Sequence, residues 1–222
     1  MFATLSEKPW LASDEATASG GTNTEASKKK IALRFFLAVV TVLFTLFIVT
    51  FLARSQFPDF EALAGQPWQP FTNATQLWIN TAILLAASAA IQAAVMAAKG
   101  GRLLMANIAF SLAGLLTIGF LVAQLLIWQQ LIDLGYFVAN NPANSYFYLL
   151  TAIHGLHLLG GLFVLLRLSL RSWSHPSQAA MTNSANLCAT YWHYLFLVWV
   201  LLFALLTSTP DTFKTLAALC GF

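Results

Sequence analysis

"YLLTAIHGLHLLGG", residues 148–161, sets two histidines three apart inside a run otherwise suited to a lipid bilayer. No charged side chain occurs from Tyr146 to Leu166, and about 20 such residues are enough for a helix to cross a membrane. On a helix of ~100° per residue, His154 and His157 lie about 60° apart. Gly161 falls between them, with Gly160 and Val164 on the flank. Leu156, Leu159, Leu162, Phe163 and Leu166 form the opposite side. One face is therefore small and polar, the other large and apolar. The first is suited to packing on another helix and the second to lipid.

Working outward, four more segments have the same character. The five runs cover approximately 31–53, 77–98, 103–131, 146–169 and 186–208. Composition agrees: 59% of the 222 residues are hydrophobic and 9% are charged, against about 25% charged in soluble domains. Mean hydropathy is +0.72. The expected class is an all-α polytopic membrane protein, a bundle of five transmembrane helices occupying 28–222. Residues 1–27 are polar and small, and read as a disordered tail. They do not read as a signal peptide, because the basic cluster follows them and the next apolar run is too long. The third run is long enough to tilt or to project.

Loops carry the expected punctuation. Lys28–Lys30 precede the first run, and Arg54 and a Pro58–Pro70 loop follow it. Lys99–Arg102 contains a Gly-Gly turn, Asn140–Asn144 separates runs three and four, and a polar stretch from Arg171 to Asn186 precedes run five. With the N-terminus inside, nine basic residues fall on the inner side (Lys8, Lys28, Lys29, Lys30, Arg34, Lys99, Arg102, Arg167 and Arg171) and two outside (Arg54 and Lys214). By the positive-inside rule the N-terminus is expected to be cytoplasmic and the C-terminus periplasmic. A net charge of +3 therefore reflects membrane orientation rather than nucleic acid binding.

The second run contains "AASAAIQAAVMAA", residues 86–98. Small side chains allow close helix approach, a main source of association in lipid, so this helix is expected among neighbours. None of the eight carboxylates lies centrally in a run, where one would cost about 2.5–3.5 kcal/mol. The chain thus has no proton relay, cation site or acid–base pair of its own. A transporter of aromatic or lipid substrates would not need them. Cys188 and Cys220 have no paired spacing and read as inert thiols. The remaining polar candidates within the runs are His154, His157, His193, Asn80, Gln92, Asn107 and Gln124.

A bis-histidine haem would need imidazoles on both sides of one iron, and His154 or His157 with His193 could supply them. Such a site also needs small residues where the ring passes and cationic groups for the propionates, and the pairing of two histidines about 13 or 14 residues apart on one helix, common in membrane cytochromes, is absent. A zinc or copper site lacks a cysteine or carboxylate at useful spacing. Helix packing and lipid contact are the simpler roles for these imidazoles.

Three motifs carry a resemblance. "FYLLTAIHGLHLLGG" (147–161) resembles F-x-L-T-G-x-H-G-x-H-V-x-x-G of subunit III in haem-copper terminal oxidases. "YWHYLFLVWVLLF" (191–203), which includes Trp192 and His193, is similar to that family's Y-W-H-F-x-D-x-V-W-x-x-L-F. "LWINTAILLAASAAIQ" (77–92), which includes Asn80, resembles its L-x-N-T-x-x-L-x-x-S-S. The likeness covers about 31–208.

It implies the five-helix bacterial form of a non-redox subunit, in a cytochrome c or quinol oxidase complex of the respiratory chain. Haem and copper would then belong to subunit I and not to this chain. Subunits I and II would be partners, and phospholipid would occupy a cleft between the helices. The bacterial inner membrane would be the location. His154, His157, His193, Trp192, Asn80, Gln124, Gly160 and Gly161 would be packing or lipid contacts, with no catalytic, cofactor-binding or metal residue among them. The family also includes an accessory protein of nitric oxide reductases, an alternative reading. An independent haem-b cytochrome is a further one, from a different class. Three acids of the family pattern are replaced, at Val40, Ile127 and Phe196, so no proton-delivery role rests on those positions.

Overall fold

A computed structural model describes residues 14–63, 75–174 and 178–219. Among them all regular structure is helical. The helices are α1 (Asp14–Arg54), α2 (Thr75–Lys99), α3 (Leu103–Asp133), α4 (Pro142–Ser174), α5 (Gln178–Leu206) and α6 (Pro210–Leu219). The first five are long and apolar enough to cross a membrane. At about 1.5 Å per residue, even the shortest of these, α2, exceeds a hydrocarbon core of about 30 Å.

The helices α2, α3, α4 and α5 pack as a closed ring, each on the next and α5 back on α2. Outside this ring α1 lies against α4 and α5, and α6 contacts its Arg54 end. The ring core has two halves. Toward the α2–α3 turn it is built from small residues, including Ala94, Ala98, Ala106, Ala113 and Ala185, around Phe110 and Trp192. Toward the other end it is filled with Phe120, Phe147, Trp199 and Phe203. Large apolar side chains also cover the outer surface: Phe35, Leu115, Leu156 and Phe163 are each more than 60% exposed. Water would oppose such a surface, and lipid accepts it.

The helices run beyond the apolar runs at several ends. Proposed as tail, 14–27 is helical backbone continuous with α1, whereas 1–13 lies outside the described residues. No proline interrupts the chain between Pro9 and Pro58, and an anchored helix propagates more easily than a new one nucleates. Part of the 171–186 polar stretch is helical too, since α4 runs to Ser174 and α5 starts at Gln178. Its Asn186 amide donates to Thr182 O at 2.7 Å within α5. The loop after Arg54 is described to Leu63, and 64–74 lies outside the described residues.

The Asn140–Asn144 segment is a capping device rather than a simple spacer. Asn141 Oδ1 accepts the Ala143 N–H at 3.0 Å, an N-cap bond, and Pro142 opens α4 where its missing N–H costs nothing. The same Asn141 side chain donates to Glu61 O at 2.6 Å and accepts from Glu61 N at 3.2 Å. It therefore fastens the segment after α1 to the start of α4. In the α2–α3 turn, Gly101 has φ +72, a conformation open to glycine without steric cost.

Candidate functional site

The histidine face of α4 divides between two environments. His154 is fully buried in the ring. Its imidazole lies 5.2 Å from the Trp199 ring and meets Phe120 edge-on at 6.0 Å. Neither ring nitrogen has a hydrogen-bond partner among the described residues. One turn on, His157 points out of the ring toward α1, between Phe36 and Phe44. Its Nδ1–H donates to Ile153 O at 2.8 Å. The exposed leucines Leu156 and Leu159 lie on the opposite side, as the helical wheel requires.

His193 lies elsewhere, on the outer side of the α5–α2 contact. Its Nδ1 is 2.5 Å from Ser88 Oγ and its Nε2 is 3.2 Å from Gln92 Oε1. Gln92 Oε1 only accepts, so Nε2 carries the proton and Nδ1 accepts from Ser88. His154, His157 and His193 thus have different surroundings: two rings inside the bundle, the α4 backbone, and the α2 side chains. Among the described residues no group of three or more His, Cys, Asp or Glu could hold a metal ion.

Next to His157 the helices leave a groove. Gly161 is pressed against α5: a Cβ there would lie 2.6 Å from Tyr191 Cε1 and 3.2 Å from Trp192. Gly160 is open, with nothing within 4 Å of the same added carbon. The groove of about 400 Å³ is lined by Leu33 and Phe36 of α1, Gly160, Gly161 and Val164 of α4, and Leu187, Cys188, Tyr191 and Trp192 of α5. The Tyr191 hydroxyl is turned aside, donating to His157 O at 2.8 Å. The walls offer apolar contact on three sides, which suits a hydrocarbon chain.

Inside the ring a pattern emerges that the histidine motif does not announce. Three indoles each donate to a threonine on another helix: Trp192 to Thr117 across the ring at 3.2 Å, and, between adjacent helices, Trp199 to Thr81 at 3.0 Å and Trp128 to Thr151 at 3.1 Å. Each threonine hydroxyl in turn donates to the carbonyl four residues back, at 2.6–2.8 Å. A buried indole N–H needs an acceptor, and the arrangement supplies one without an unpaired hydroxyl proton. The available signal was Trp192 and Trp199 inside the fifth span rather than in interfacial belts, where tryptophan is usually enriched; Trp128, near the end of α3, gave no such signal. Asn80 donates to Gln124 at 3.0 Å, joining α2 to α3.

At the Arg54 end, Arg54 pairs with Asp59 through both carboxylate oxygens and lies 4.9 Å over the Phe57 ring. The guanidinium hydrogen bond holds the Asp59 carboxyl below its usual 3.8. Val40 and Ile127, two positions where the resembling family has acids, are buried and apolar, while Phe196 is half-buried.

Residues 8–208 match the family described as cytochrome c oxidase subunit III. The chain belongs to that family. This subunit III is 30% identical over 163 residues to a probable cytochrome c oxidase subunit 3 of Mycobacterium leprae, covering 72% of this chain and 77% of the relative. It is 35% identical over 129 residues to the Corynebacterium diphtheriae cytochrome c oxidase subunit 3, covering 56% and 61%. Similarity extends to subunit 3 of a cytochrome bo(3) ubiquinol oxidase from Pseudomonas aeruginosa, at 29% over 126 residues, covering 56% and 60%. The chain is therefore an oxidase subunit III, a multi-pass membrane component of a larger complex.

Proposed function

We propose that this subunit III is a non-redox accessory subunit of a bacterial haem-copper terminal oxidase, packing on subunit I and holding phospholipid. Subunit I carries the haem and copper and reduces oxygen to water; subunit II is the other partner. The inner membrane is its location, with the N-terminus cytoplasmic on the basic-residue count above.

The observation that carries the lipid role is the Gly160–Gly161 groove. Tyr191 closes against Gly161 while Gly160 leaves a channel between α1 and the α4–α5 pair. The channel is walled by carbon and lies beside Leu33 and Arg34, near the basic end of α1. An acyl chain could lie in it with an anionic headgroup toward Lys30 and Arg34. Basic residues of this kind attract anionic lipid at about 1 kcal/mol each near the surface.

The test is lipid mass spectrometry of the purified oxidase carrying Gly160→Phe. The side chain enters open space, so folding is retained and the groove is filled. Loss of about one tightly held phospholipid per complex supports the reading. Unchanged lipid content with the groove filled contradicts it.

A further inference from the structure

The outward side of the α2–α5 pair differs from every other exposed face of the bundle. Exposed positions on α1, α3 and α4 carry large side chains such as Phe35, Leu115 and Phe163. The alanine-rich α2 instead has two small faces. One, with Ala87, Ala94 and Ala98, is buried against its neighbours. The other, with Ala82, Ala86, Ala89 and Ala93 in one stripe, is exposed, flanked by the larger Leu85 and Met96.

Beside that stripe lies the Ser88–His193–Gln92 chain. Ser88 is midway along Thr75–Lys99 and His193 midway along Met181–Leu206. Each is about 16–20 Å from its helix ends at 1.5 Å per residue, near the centre of a hydrocarbon layer about 30 Å thick. His193 and Gln92 are nonetheless exposed. With Oε1 taken by His193, the Gln92 amide nitrogen has no acceptor among the described residues. Gln92 is seven residues, about 10 Å at 1.5 Å per residue, from the Lys99 end of α2, still inside the hydrocarbon layer, where acyl chains offer no acceptor. A polar group left in that environment is costly, and polar residues at such depth ordinarily face protein.

We infer that the α2–α5 face, centred on Gln92 and His193, is where a transmembrane helix of the catalytic subunit docks. It would rest on the alanine stripe and offer the Gln92 amide a hydrogen-bond acceptor. This inference rests on the accessory-subunit reading and specifies its docking face. Close approach over small residues and a hydrogen bond across the contact are the two main attractions between helices in lipid.

The experiment is photo-crosslinking in the intact oxidase, with a benzophenone amino acid at Ala89 and, as the control face, at Leu115. The expected product joins the Ala89 probe to the catalytic subunit, with no such product from Leu115. A Gln92→Leu variant checks the site with a small perturbation. It should be retained in the complex about threefold to twentyfold less well after a detergent wash, the range for single hydrogen bonds between membrane helices. A catalytic-subunit crosslink from Leu115 alone, a product joining two copies of this chain, or unchanged retention of Gln92→Leu overturns the docking face. In each of those cases the accessory reading survives if the catalytic subunit copurifies. Failure of the unsubstituted chain to copurify with any catalytic subunit overturns both.

Discussion

At the scale of single residues, adjacent glycines have opposite consequences. Gly161→Ala places a carbon against Tyr191 and Trp192, and overpacking of this kind costs about 1–3 kcal/mol. Gly160→Ala meets nothing. Unfolding of the two variants in a denaturing detergent titration should therefore separate them, with Gly161→Ala the less stable. His154 behaves differently again. Buried without a hydrogen-bond partner among the described residues, it resembles an apolar group in role. His154→Leu should change stability by less than about 1 kcal/mol or raise it, because apolar replacement of an unpaired polar group is nearly neutral or stabilising. The sequence singled out all three residues as a packing constellation, yet it could not distinguish them. Their difference arises from rotation on the α4 axis and from which side chain of α5 stands opposite.

Asp59 belongs to this scale as well. Its folded carboxyl titrates below the usual 3.8 because of Arg54. The pair's contribution is therefore present above that usual value and lost as pH falls through the lowered one. Both groups reach solvent, so screening keeps the contribution small. Carbon-13 NMR of the labelled chain in micelles should show Asp59 titrating low, returning toward its ordinary range in Arg54→Gln.

At the scale of elements, the tryptophan–threonine pairs tie the ring: α5 to α3, α5 to α2, and α3 to α4. A double-mutant cycle of Trp199→Phe and Thr81→Val should give a coupling of about 0.6 kcal/mol, with ~1.7 the upper bound for hydrogen bonds between membrane helices. A coupling of zero would make the pair a contact without energetic weight. The five spans were legible because uncharged runs of bilayer length have few other interpretations. Three things were not. The helical stretch 14–27 lacks any apolar signal. The α5 start at Gln178 lies in a polar segment that bonds to its own backbone, as Asn186 does. Short α6 has an amphipathic pattern of its own, with Phe213 and Ala217 on its buried face and Phe213 against Phe51 at 5.3 Å, but its ten residues are too few to register as a span.

At the scale of the whole molecule, the bundle spends its polar side chains on its own architecture and leaves two surface features over. The groove beside Gly160 is suited to an acyl chain, and the α2–α5 face is suited to a helix. Neither could be read from spacing alone. His193 shares a motif with Trp192, yet the two side chains diverge by about 100° on the helix, one toward Ser88 and Gln92 and the other into the ring. Sequence placed the chain among oxidase subunits III, and the family match supports that placement over most of its length. Val40 and Ile127, where the family pattern has acids, are buried apolar residues of the core.

The most direct measurement is purification of the tagged chain in mild detergent, with identification of the copurifying proteins and a visible spectrum before and after their removal. The account predicts haem bands that accompany a catalytic subunit and disappear from this chain once that subunit is stripped away. Haem that remained with the isolated chain would contradict it and would make His154, His157 and His193 the first residues to test as ligands.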